Sequence, residues 1–424
     1  MQANIIISKP VKTLSGTVQL TGSKSECNRA LIIEALSKGK VKVQNVSSAA
    51  DTVTLSGILW GSENVQKLKG HPVLECNVGP AGTAMRFLTA YFTLLDEAEV
   101  ILTGTVRMKQ RPIGILVDAL CALGASIKYE ENEGFPPLRI KGGFEQQTDT
   151  ISIKGDISSQ YITALLLIAS SLPKGLTLQI EGELTSKPYV EMTLAMLQQA
   201  GIQHTWEENG IHIANQPFNA TVLPVEPDWS AASYWYAIAA LSDTAELFLP
   251  GLTPYSLQGD SVITEIMANF GITSQFKDGG VYLQKEAKPI LRKIFDLKEC
   301  PDLAQTVIVV CAALGHDATF TGLETLKIKE TDRIAALQNE LAKIGVKLTE
   351  KGQVYKLDTS EKHIPEKVTI HTYEDHRMAM AFAPLALIIP QVEIEDPQVV
   401  EKSYPAFWKD LEGAGFSIEV KSQN

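Results

Sequence analysis

The chain has 424 residues, of which 45% are hydrophobic and 21% are charged. This length is more than one hydrophobic core usually organises, so we expect two domains. Lys and Arg together number 38 against 49 Asp and Glu, which gives a net charge of -11. Nucleic acids and anionic membranes bind basic surfaces, so neither is an expected partner. Any anionic ligand has to be held by local clusters of cations.

The cysteines and the apolar stretches of the sequence indicate the cellular compartment. The five cysteines are scattered and never occur as CxxC, which indicates neither a disulfide framework nor a zinc site. The N-terminal segment lacks the cationic region of an export signal. The longest apolar runs fall short of the roughly 18 residues that span a bilayer. We therefore expect a soluble protein of the reducing cytoplasm.

A pattern marked by glycine recurs along the chain. An apolar helical period is followed by a glycine and a short β-like run at Gly124, Gly201, Gly271, Gly345 and Gly415, and a weaker first copy has Gly61. A glycine after a helix supplies a left-handed C-cap, and β-branched residues after it begin a strand. Such joints occur in any α/β protein, but their spacing of about 70 residues favours six repeats of one unit. Three copies precede residue 225 and three follow it, which predicts two lobes of three units.

Seven segments place small, hydroxyl or charged residues directly before an apolar helical run. They are GSKSECNRALIIEAL, GPAGTAMRFLTAYF, DISSQYITALLLIA, EPDWSAASYWYAIAAL, CPDLAQTVIVVCAAL, KETDRIAALQNEL and EDHRMAMAFAPLAL. A helix start presents free backbone N–H groups and the positive end of the helix dipole, which together bind phosphate or carboxylate. The sequence therefore predicts several helix starts that can hold anions.

Cations accompany many of these helix starts. They are Lys24, Arg29, Arg86, Lys329, Arg333 and Arg377, while Arg107 and Arg111 occur in RMKQRP and Lys402 in EKSYP. Arginine binds carboxylate and phosphate through paired hydrogen bonds, whereas lysine acts as a point charge and a proton donor. In an acidic protein, this clustering indicates a small polyanionic substrate.

Each of these residues also has a purely structural interpretation. Four side chains could simply cap helix N-termini, namely Ser23, Ser158, Asp228 and Asp302. Arg333 lies three residues after Glu330, which is the spacing of an intrahelical ion pair. For His376, a structural hydrogen-bonding role is favoured over that of a catalytic base. Taken together, these interpretations do not explain why the cations cluster at predicted helix starts.

Ten short motifs occur in order within residues 16–410. They are GSKSECNRAL, AGTAMR, RMKQRPIGILVDAL, SSQYITALL, SKPYVEMTL, SLQGD, PDLAQT, KETDRIAAL, DHRMAMAF and KSYP. In order and spacing, this set resembles the 5-enolpyruvylshikimate-3-phosphate (EPSP) synthases. A single motif such as SSQ carries little weight, whereas ten in order are highly specific.

The resemblance implies an α/β protein with the two-lobed enolpyruvyl transferase fold, an inside-out α/β barrel. Each lobe would consist of three βαβαββ-type repeats, with helix N-termini directed toward an active site in the interlobe cleft. Residues 1–20 and 226–424 would form the C-terminal lobe, and residues 21–225 the N-terminal lobe. The family leads us to expect a monomer.

The resemblance also implies an activity of the shikimate pathway, which leads to chorismate and the aromatic amino acids. The enolpyruvyl group of phosphoenolpyruvate would move to the 5-hydroxyl of shikimate 3-phosphate. The residues expected to bind shikimate 3-phosphate are Lys24, Ser25, Arg29, Ser158, Ser159, Gln160, Ser186, Asp302 and Lys329. Those expected to bind phosphoenolpyruvate are Lys24, Gly82, Arg107, Gln160, Glu330, Arg333, Arg377 and Lys402.

The chemistry of an enol ether calls for two proton transfers at different places. The 5-hydroxyl loses a proton as it attacks C2 of phosphoenolpyruvate, and C3 gains one before phosphate leaves. Asp302 is the candidate base and Glu330 the candidate acid, with Lys24 assisting proton transfer and stabilising charge. Phosphoenolpyruvate supplies its own leaving group, so no metal or organic cofactor is expected.

Some positions depart from the family pattern, and two other functions remain open. Pro80, Phe87 and Thr325 differ from the usual residues, and the stretch at 51–76 is shortened and poorly matched. The related enzymes that use UDP-N-acetylglucosamine as acceptor usually carry a cysteine before the Arg-Pro pair, but residues 100–114 contain none. A noncatalytic anion-binding relative is the other alternative. Retention of Lys24, Asp302 and Glu330 argues against it.

Overall fold

The computed structural model describes residues 3–62, 73–156, 158–208 and 210–421. Residues 63–72 of the poorly matched stretch lie outside these ranges. The chain forms two compact units, one made of Met1–Ser23 with Glu226–Asn424 and the other of Lys24–Val225. It therefore passes from one unit to the other twice, after Ser23 and after Val225.

The described residues form 12 α-helices. They are α1 Lys24–Leu36, α2 Ala50–Ser62, α3 Gly82–Thr93, α4 Gly114–Leu123, α5 Ser159–Ala169, α6 Lys187–Gln199, α7 Trp229–Leu241, α8 Ile263–Ala268, α9 Ala304–Leu314, α10 Arg333–Ala342, α11 His376–Phe382 and α12 Phe407–Gly413. The seven predicted helix starts are confirmed, since α1, α3, α5, α7, α9, α10 and α11 begin within those segments.

The same ranges contain 22 short β-strands. They are β1 Ile5–Ser8, β2 Thr13–Thr17, β3 Val41–Gln44, β4 Leu74–Asn77, β5 Glu99–Thr103, β6 Ser126–Tyr129, β7 Leu138–Lys141, β8 Thr150–Lys154, β9 Leu176–Glu181, β10 Thr205–Glu207, β11 Gly210–Ile213, β12 Thr221–Pro224, β13 Thr244–Pro250, β14 Ile272–Lys277, β15 Gly280–Lys285, β16 Ile294–Asp296, β17 Ala318–Thr321, β18 Lys347–Lys351, β19 Val354–Asp358, β20 Lys367–Ile370, β21 Gln391–Ile394 and β22 Ser417–Val420. They form six sheets, three in each unit.

The sheets of the Lys24–Val225 unit show the repeat in its simplest form. In the order β4-β5-β7-β6, the first two strands are parallel and the other neighbours are antiparallel. A helix, α3, connects the parallel pair, because parallel neighbours need a crossover, whereas β6 and β7 form a hairpin. The sheet β8-β9-β11-β10 repeats this arrangement, and β3 pairs with β12 in a two-stranded sheet.

The other unit has three four-stranded sheets with the same pairing pattern. One of them, β16-β17-β19-β18, is built from consecutive strands. The N-terminal segment supplies one strand to each of the others: β2 lies parallel to β13, and β1 is antiparallel to both β21 and β22. Backbone pairing of β1 and β2 therefore ties the N-terminal segment to this unit. The predicted α/β class is confirmed.

Buried helices form the centre of each unit. In the unit that contains Glu226–Asn424, α7, α9 and α11 contact one another, and α9 is buried on all sides from Ala304 to Ala313. A helix that is apolar all round is stable only inside a core, and its alanines allow close approach of neighbours. The helices α1, α3 and α5 contact one another in the same way in the other unit. No helix in the described ranges has both the length and the apolar character needed to cross a membrane.

The glycine pattern proves to be a series of helix ends. All five strong copies have positive φ, with values of 114° at Gly124, 91° at Gly201, 81° at Gly271, 72° at Gly345 and 83° at Gly415. The expectation for the weak copy is wrong, because Gly61 lies inside α2 rather than after it. The first repeat thus lacks the glycine cap at that position.

Replacement of Gly271 by Ala should destabilise the protein by about 2 kcal/mol, because φ is left-handed and a new Cβ would clash with the backbone. That Cβ would lie 2.2 Å from the carbonyl oxygen of Glu286. Gly413 in the same unit is the matched control, since it ends α12 with open space around it. Thermal unfolding should show a lower Tm for Gly271→Ala and no loss for Gly413→Ala. Equal Tm values would contradict the role of the cap.

Candidate functional site

A network of buried ion pairs lies at three helix starts in the unit that contains Glu226–Asn424. Arg333 begins α10, and its guanidinium is only 1% exposed. It donates from Nε to Asp375 Oδ2 at 2.7 Å, from one terminal nitrogen to Asp302 Oδ1 at 3.2 Å and from the other to Glu330 Oε2 at 2.9 Å. Because the guanidinium is planar and rigid, its hydrogen bonds fix the positions of these three carboxylates relative to one another.

Arg377 in α11 joins the same network. Its guanidinium donates to Asp302 Oδ2 at 2.8 Å, to the hydroxyl of Ser230 at 3.3 Å and to that of Tyr234 at 3.3 Å. Its backbone N–H donates to Asp375 Oδ1 at 2.9 Å, so Asp375 caps α11. Asp302 therefore accepts hydrogen bonds from both arginines, one on each carboxylate oxygen.

Two lysines complete this cluster. Lys402 places its Nζ 3.4 Å from Glu330 Oε1, and Lys329 places its Nζ 4.0 Å from Asp302 Oδ1. The structure thus brings together all five residues predicted for this unit beside Asp302, namely Lys329, Glu330, Arg333, Arg377 and Lys402. Of the two candidate acid–base groups, Glu330 contacts one arginine and one lysine, and Asp302 contacts two arginines and one lysine.

Electrostatics keeps Asp302 ionised. Burial acts to raise the pKa of Asp302, but Arg377, Lys329 and Arg333 outweigh it and hold the pKa well below the usual range. The carboxyl group is nevertheless within reach of solvent, with 18% of the side chain exposed. In this state Asp302 binds cations and is a weak base.

Two structural interpretations of the sequence are wrong at this site. Asp302 does not cap α9, because it lies in a 3-10 turn at Pro301–Leu303 and its carboxylate is turned to the arginines. The pair of Arg333 with Glu330 is real but not intrahelical, because Glu330 precedes the first residue of α10. The capping roles predicted for Ser158 and Asp228 are confirmed. His376 is buried, with Nδ1 3.6 Å from Asp375 Oδ1.

Sequence reasoning assigned no role to Asp260 or Asp375. Asp260 lies in the SLQGD motif, and its carboxylate accepts a hydrogen bond from Ser230, which also contacts Arg377. Burial raises the pKa of Asp260 to about 7, and the nearby carboxylate of Asp302 adds to this shift while Arg377 opposes it. The sequence alone could not reveal this role, because Ser230 and Arg377 lie far from Asp260 along the chain and meet it only in the folded protein.

The Lys24–Val225 unit carries most of its predicted residues at or near the starts of α1, α3, α5 and α6, while Arg107 lies at a 3-10 turn. Lys24 is the first residue of α1, and its Nζ lies 3.2 Å from Oδ2 of the buried Asp51. Asn28 of α1 donates to Thr83 of α3 at 2.8 Å, which fixes these two helix starts against each other. Lys24 is therefore held by an acidic partner at a helix N-terminus.

Arg29 is buried, and hydrogen bonds within the protein use most of its donors. Its guanidinium donates to Thr193 at 2.8 Å, to the carbonyl oxygen of Ser25 at 2.8 Å, and to Thr163 and the carbonyl oxygen of Tyr189, both at 3.3 Å. Arginine has five N–H donors, so at most one remains for a ligand. Burial lowers the pKa of Arg29 to about 10, and it stays charged at neutral pH.

The start of α3 is shaped by an arginine of the RMKQRP segment. A Cβ added at Gly82 would lie 2.8 Å from a terminal nitrogen of Arg111, so glycine lets this guanidinium lie against the helix start. Arg86 donates to the carbonyl oxygen of Pro112 at 2.8 Å and holds the same segment to α3. Arg107 is partly exposed at the beginning of a 3-10 turn in this segment. Arg111 was noted as a cation but not assigned to the site.

Three of the serines predicted to bind shikimate 3-phosphate lie at two further helix starts. Ser158 caps α5 by accepting from the backbone N–H of Gln160 at 3.3 Å, and Ser159 is buried in the first turn. Ser186 precedes α6 with φ of 55°, which is unusual for a residue other than glycine. Strained backbone of this kind is often found in ligand-binding segments.

These arrangements suit small, highly charged anions. Cations and helix N-termini would hold phosphate and carboxylate groups, and the ionised Asp302 and the solvent-accessible Glu330 are candidates for proton transfer. Among the described residues, no three His, Cys, Asp or Glu side chains are grouped as metal ligands.

Comparison with known proteins agrees with the motifs. A sequence profile of the EPSP synthases, described as 3-phosphoshikimate 1-carboxyvinyltransferases, matches residues 8–411. The chain belongs to the EPSP synthase family. A family member from Bacteroides fragilis, a curated 3-phosphoshikimate 1-carboxyvinyltransferase, is 46% identical over 418 residues, which cover 98% of each chain. One from Methanospirillum hungatei is 36% identical over 92% of this chain and 93% of its own.

Solved structures of the EPSP synthase family and a relative share the fold. An EPSP synthase from Acinetobacter baumannii superposes with a TM-score of 0.74 at 20% identity, covering 99% of this chain and all of its own. The enolpyruvyl transferase NikO from Streptomyces tendae gives a TM-score of 0.72 at 14% identity over the full length of both chains. The predicted enolpyruvyl transferase fold is confirmed.

Replacement of Asp260 by Asn should reduce the pH dependence of stability. Between pH 3.8 and about 7, native Asp260 holds a proton that the unfolded chain has lost. The contribution of Asp260 to the free energy of unfolding therefore falls as the pH rises through this window, whereas the amide of the variant cannot ionise. The Tm of Asp260→Asn minus that of the wild type should increase from pH 4 to pH 7, as measured by thermal unfolding. Asp278→Asn, at an exposed position, is the control and should leave the pH dependence of Tm as in the wild type. If Tm varies with pH in the same way in Asp260→Asn and the wild type, the raised pKa of Asp260 is refuted.

Proposed function

We propose that the protein transfers the enolpyruvyl group of phosphoenolpyruvate to the 5-hydroxyl of shikimate 3-phosphate, releasing phosphate. The observation that carries this proposal is the cluster of four cations around Asp302 and Glu330: Lys329, Arg333, Arg377 and Lys402. Two adjacent anionic substrates require such an excess of positive charge next to acid–base groups. The names of the curated relatives support the same activity.

Phosphoenolpyruvate is assigned to the arginines and Lys402. Its carboxylate and phosphate can each take two parallel hydrogen bonds from a guanidinium, which Arg333 and Arg377 offer from rigid, buried positions. In the other unit, Lys24, Gly82, Arg107 and Gln160 are proposed to contact the same molecule.

Shikimate 3-phosphate is assigned to the hydroxyl-rich helix starts. Ser158 and Ser159 would bind its phosphate, where the N-terminal N–H groups of α5 add to the hydroxyl donors, and Ser186 would contact the same substrate. Ser25, Gln160, Lys329 and the remaining donor of Arg29 would bind its other polar groups. Asp302 would accept a hydrogen bond from the 5-hydroxyl.

The reaction proceeds by addition and elimination. The 5-hydroxyl oxygen forms a bond to C2 of phosphoenolpyruvate as its proton passes to a base, and C3 accepts a proton to become a methyl group. The C2–O bond to phosphate then breaks, a proton leaves the methyl group, and the enol ether remains. Asp302 is the proposed base, Glu330 the proposed acid at C3, and Lys24 assists proton transfer and stabilises developing charge.

Substrate binding would give Asp302 and Glu330 their catalytic properties. In the structure, Arg333 and Lys402 contact Glu330, and Arg333 and Arg377 contact Asp302. Anionic substrate groups compete for these cations, and their negative charge favours the protonated form of Glu330. The same exchange of partners makes Asp302 a stronger base. The site would therefore be assembled for catalysis by its substrates.

No cofactor enters the proposed chemistry, because the bond that breaks already joins C2 to phosphate. We propose that the protein acts as a monomer in the cytoplasm. The alternative acceptor, UDP-N-acetylglucosamine, is distinguished from shikimate 3-phosphate by direct assay, and a noncatalytic protein would bind the anions without turnover.

Phosphate release provides the test of the proposed function. The protein is incubated with phosphoenolpyruvate and either shikimate 3-phosphate or UDP-N-acetylglucosamine, and inorganic phosphate is measured over time. Release should depend on shikimate 3-phosphate and should not occur with the nucleotide sugar. Release only with UDP-N-acetylglucosamine would identify the other acceptor, and release with neither would refute an enzymatic role.

Glu330→Gln should lower kcat about 100-fold or more, because glutamine cannot give a proton to C3. The shape of the side chain and its contact with Arg333 would be preserved. Steady-state kinetics of phosphate release measures the effect, with Glu350→Gln as a control that alters an exposed ion pair to Lys327 in the same unit. Near-normal kcat in Glu330→Gln would remove Glu330 from the role of acid.

A further inference from the structure

The turn that leads into α11 has an unusual backbone. Tyr373 and Glu374 both lie in the left-handed region, with φ of 54° and 57°. Residues other than glycine, asparagine and aspartate rarely adopt this conformation, and two in succession are strained. Such a turn persists only when its surroundings hold it.

Glu340, in the last full turn of α10, holds the turn at Tyr373 and Glu374 through hydrogen bonds. Its buried carboxylate accepts from the hydroxyl of Tyr373 at 2.8 Å, from the backbone N–H of His371 at 3.1 Å and from Lys343 Nζ at 2.6 Å. Lys343 also donates to the carbonyl oxygen of Thr369 at 2.8 Å. The end of β20 and the strained turn are thereby tied to α10.

The same turn positions Asp375 next to Arg333 and Arg377. The backbone N–H of Asp375 donates to the carbonyl oxygen of Thr372 at 2.9 Å, which closes the turn. The carboxylate then accepts from Arg333 Nε at 2.7 Å and from the backbone N–H of Arg377 at 2.9 Å. Helix α10 thus contacts the turn twice, through Arg333 at its start and Glu340 near its end.

We propose that Tyr373 is a positioning residue for phosphoenolpyruvate binding, acting through its hydrogen bond to Glu340. This bond fixes the strained turn so that Asp375 orients the guanidinium of Arg333 and the first turn of α11, which carries Arg377. The inference rests on the proposed function, because it assigns those two arginines to phosphoenolpyruvate. Tyr373 itself does not touch the substrate.

The phenol is suited to this role. Burial and the hydrogen bond to Glu340 raise the pKa of Tyr373, so the hydroxyl keeps its proton at neutral pH and remains a hydrogen-bond donor. The aromatic ring also packs edge-on against His371, at 6.3 Å between ring centroids. Phenylalanine keeps this ring contact and removes only the hydroxyl.

The test compares Tyr373→Phe with Tyr236→Phe in the phosphate-release assay. Tyr236 is the matched control, because its buried hydroxyl bonds to Ser274 at 2.8 Å in the same unit without a link to the arginines. Tyr373→Phe should raise the KM for phosphoenolpyruvate roughly tenfold, the factor expected from one lost hydrogen bond to a charged group. The KM for shikimate 3-phosphate should change by less than about twofold, and kcat should fall by a smaller factor than the KM for phosphoenolpyruvate rises, since the change acts mainly on the binding of one substrate.

The control separates positioning from general stability. Tyr236→Phe should lower Tm without changing the KM for phosphoenolpyruvate. An unchanged KM in Tyr373→Phe, or equal increases in both variants, would overturn the positioning role while leaving the proposed function intact. A wild-type protein without activity would refute the proposed function and this inference together.

Discussion

The buried guanidinium of Arg333 is the constraint on which the rest of the site depends. A cation removed from water is stable only when it is paired and hydrogen-bonded. Arg333 satisfies this requirement with Asp302, Glu330 and Asp375, and each of these carboxylates comes from a different segment of the chain. The start of α10, the turn before α9 and the start of α11 must therefore meet at one point.

The architecture supplies that meeting point. Buried helices fill the centre of the unit, and in α9 and α11 the charged, amide, imidazole and hydroxyl side chains lie in the first turn. Within the described part of this unit, the cluster has four cations against the carboxylates of Asp302, Glu330 and Asp375, with Asp260 nearby in a setting that favours its proton. In the proposed function, an incoming anion exchanges partners with carboxylates that are already in place, so substrate binding and the activation of the proposed acid–base groups occur together.

The sequence predicted those features that local physics determines. A glycine such as Gly271 marks a helix end wherever the helical period stops, and an apolar run after polar residues marks a helix start. The cap predicted at Asp302 was wrong because a 3-10 turn moves the start of α9 beyond it. Asp375 and Glu340 were missed because their importance depends on contacts across 30 or more residues. No periodicity or spacing encodes such contacts, and the roles of the individual site residues stay predictions.

The fate of the oxygen that bridges C2 and phosphorus tests the central claim most directly. Phosphoenolpyruvate labelled with 18O in this bridge is incubated with shikimate 3-phosphate and the protein, and the products are analysed by mass spectrometry. Addition and elimination break the C–O bond, so the label should appear in inorganic phosphate, together with an enol ether of shikimate 3-phosphate. Label retained in pyruvate would show cleavage at phosphorus and would contradict enolpyruvyl transfer.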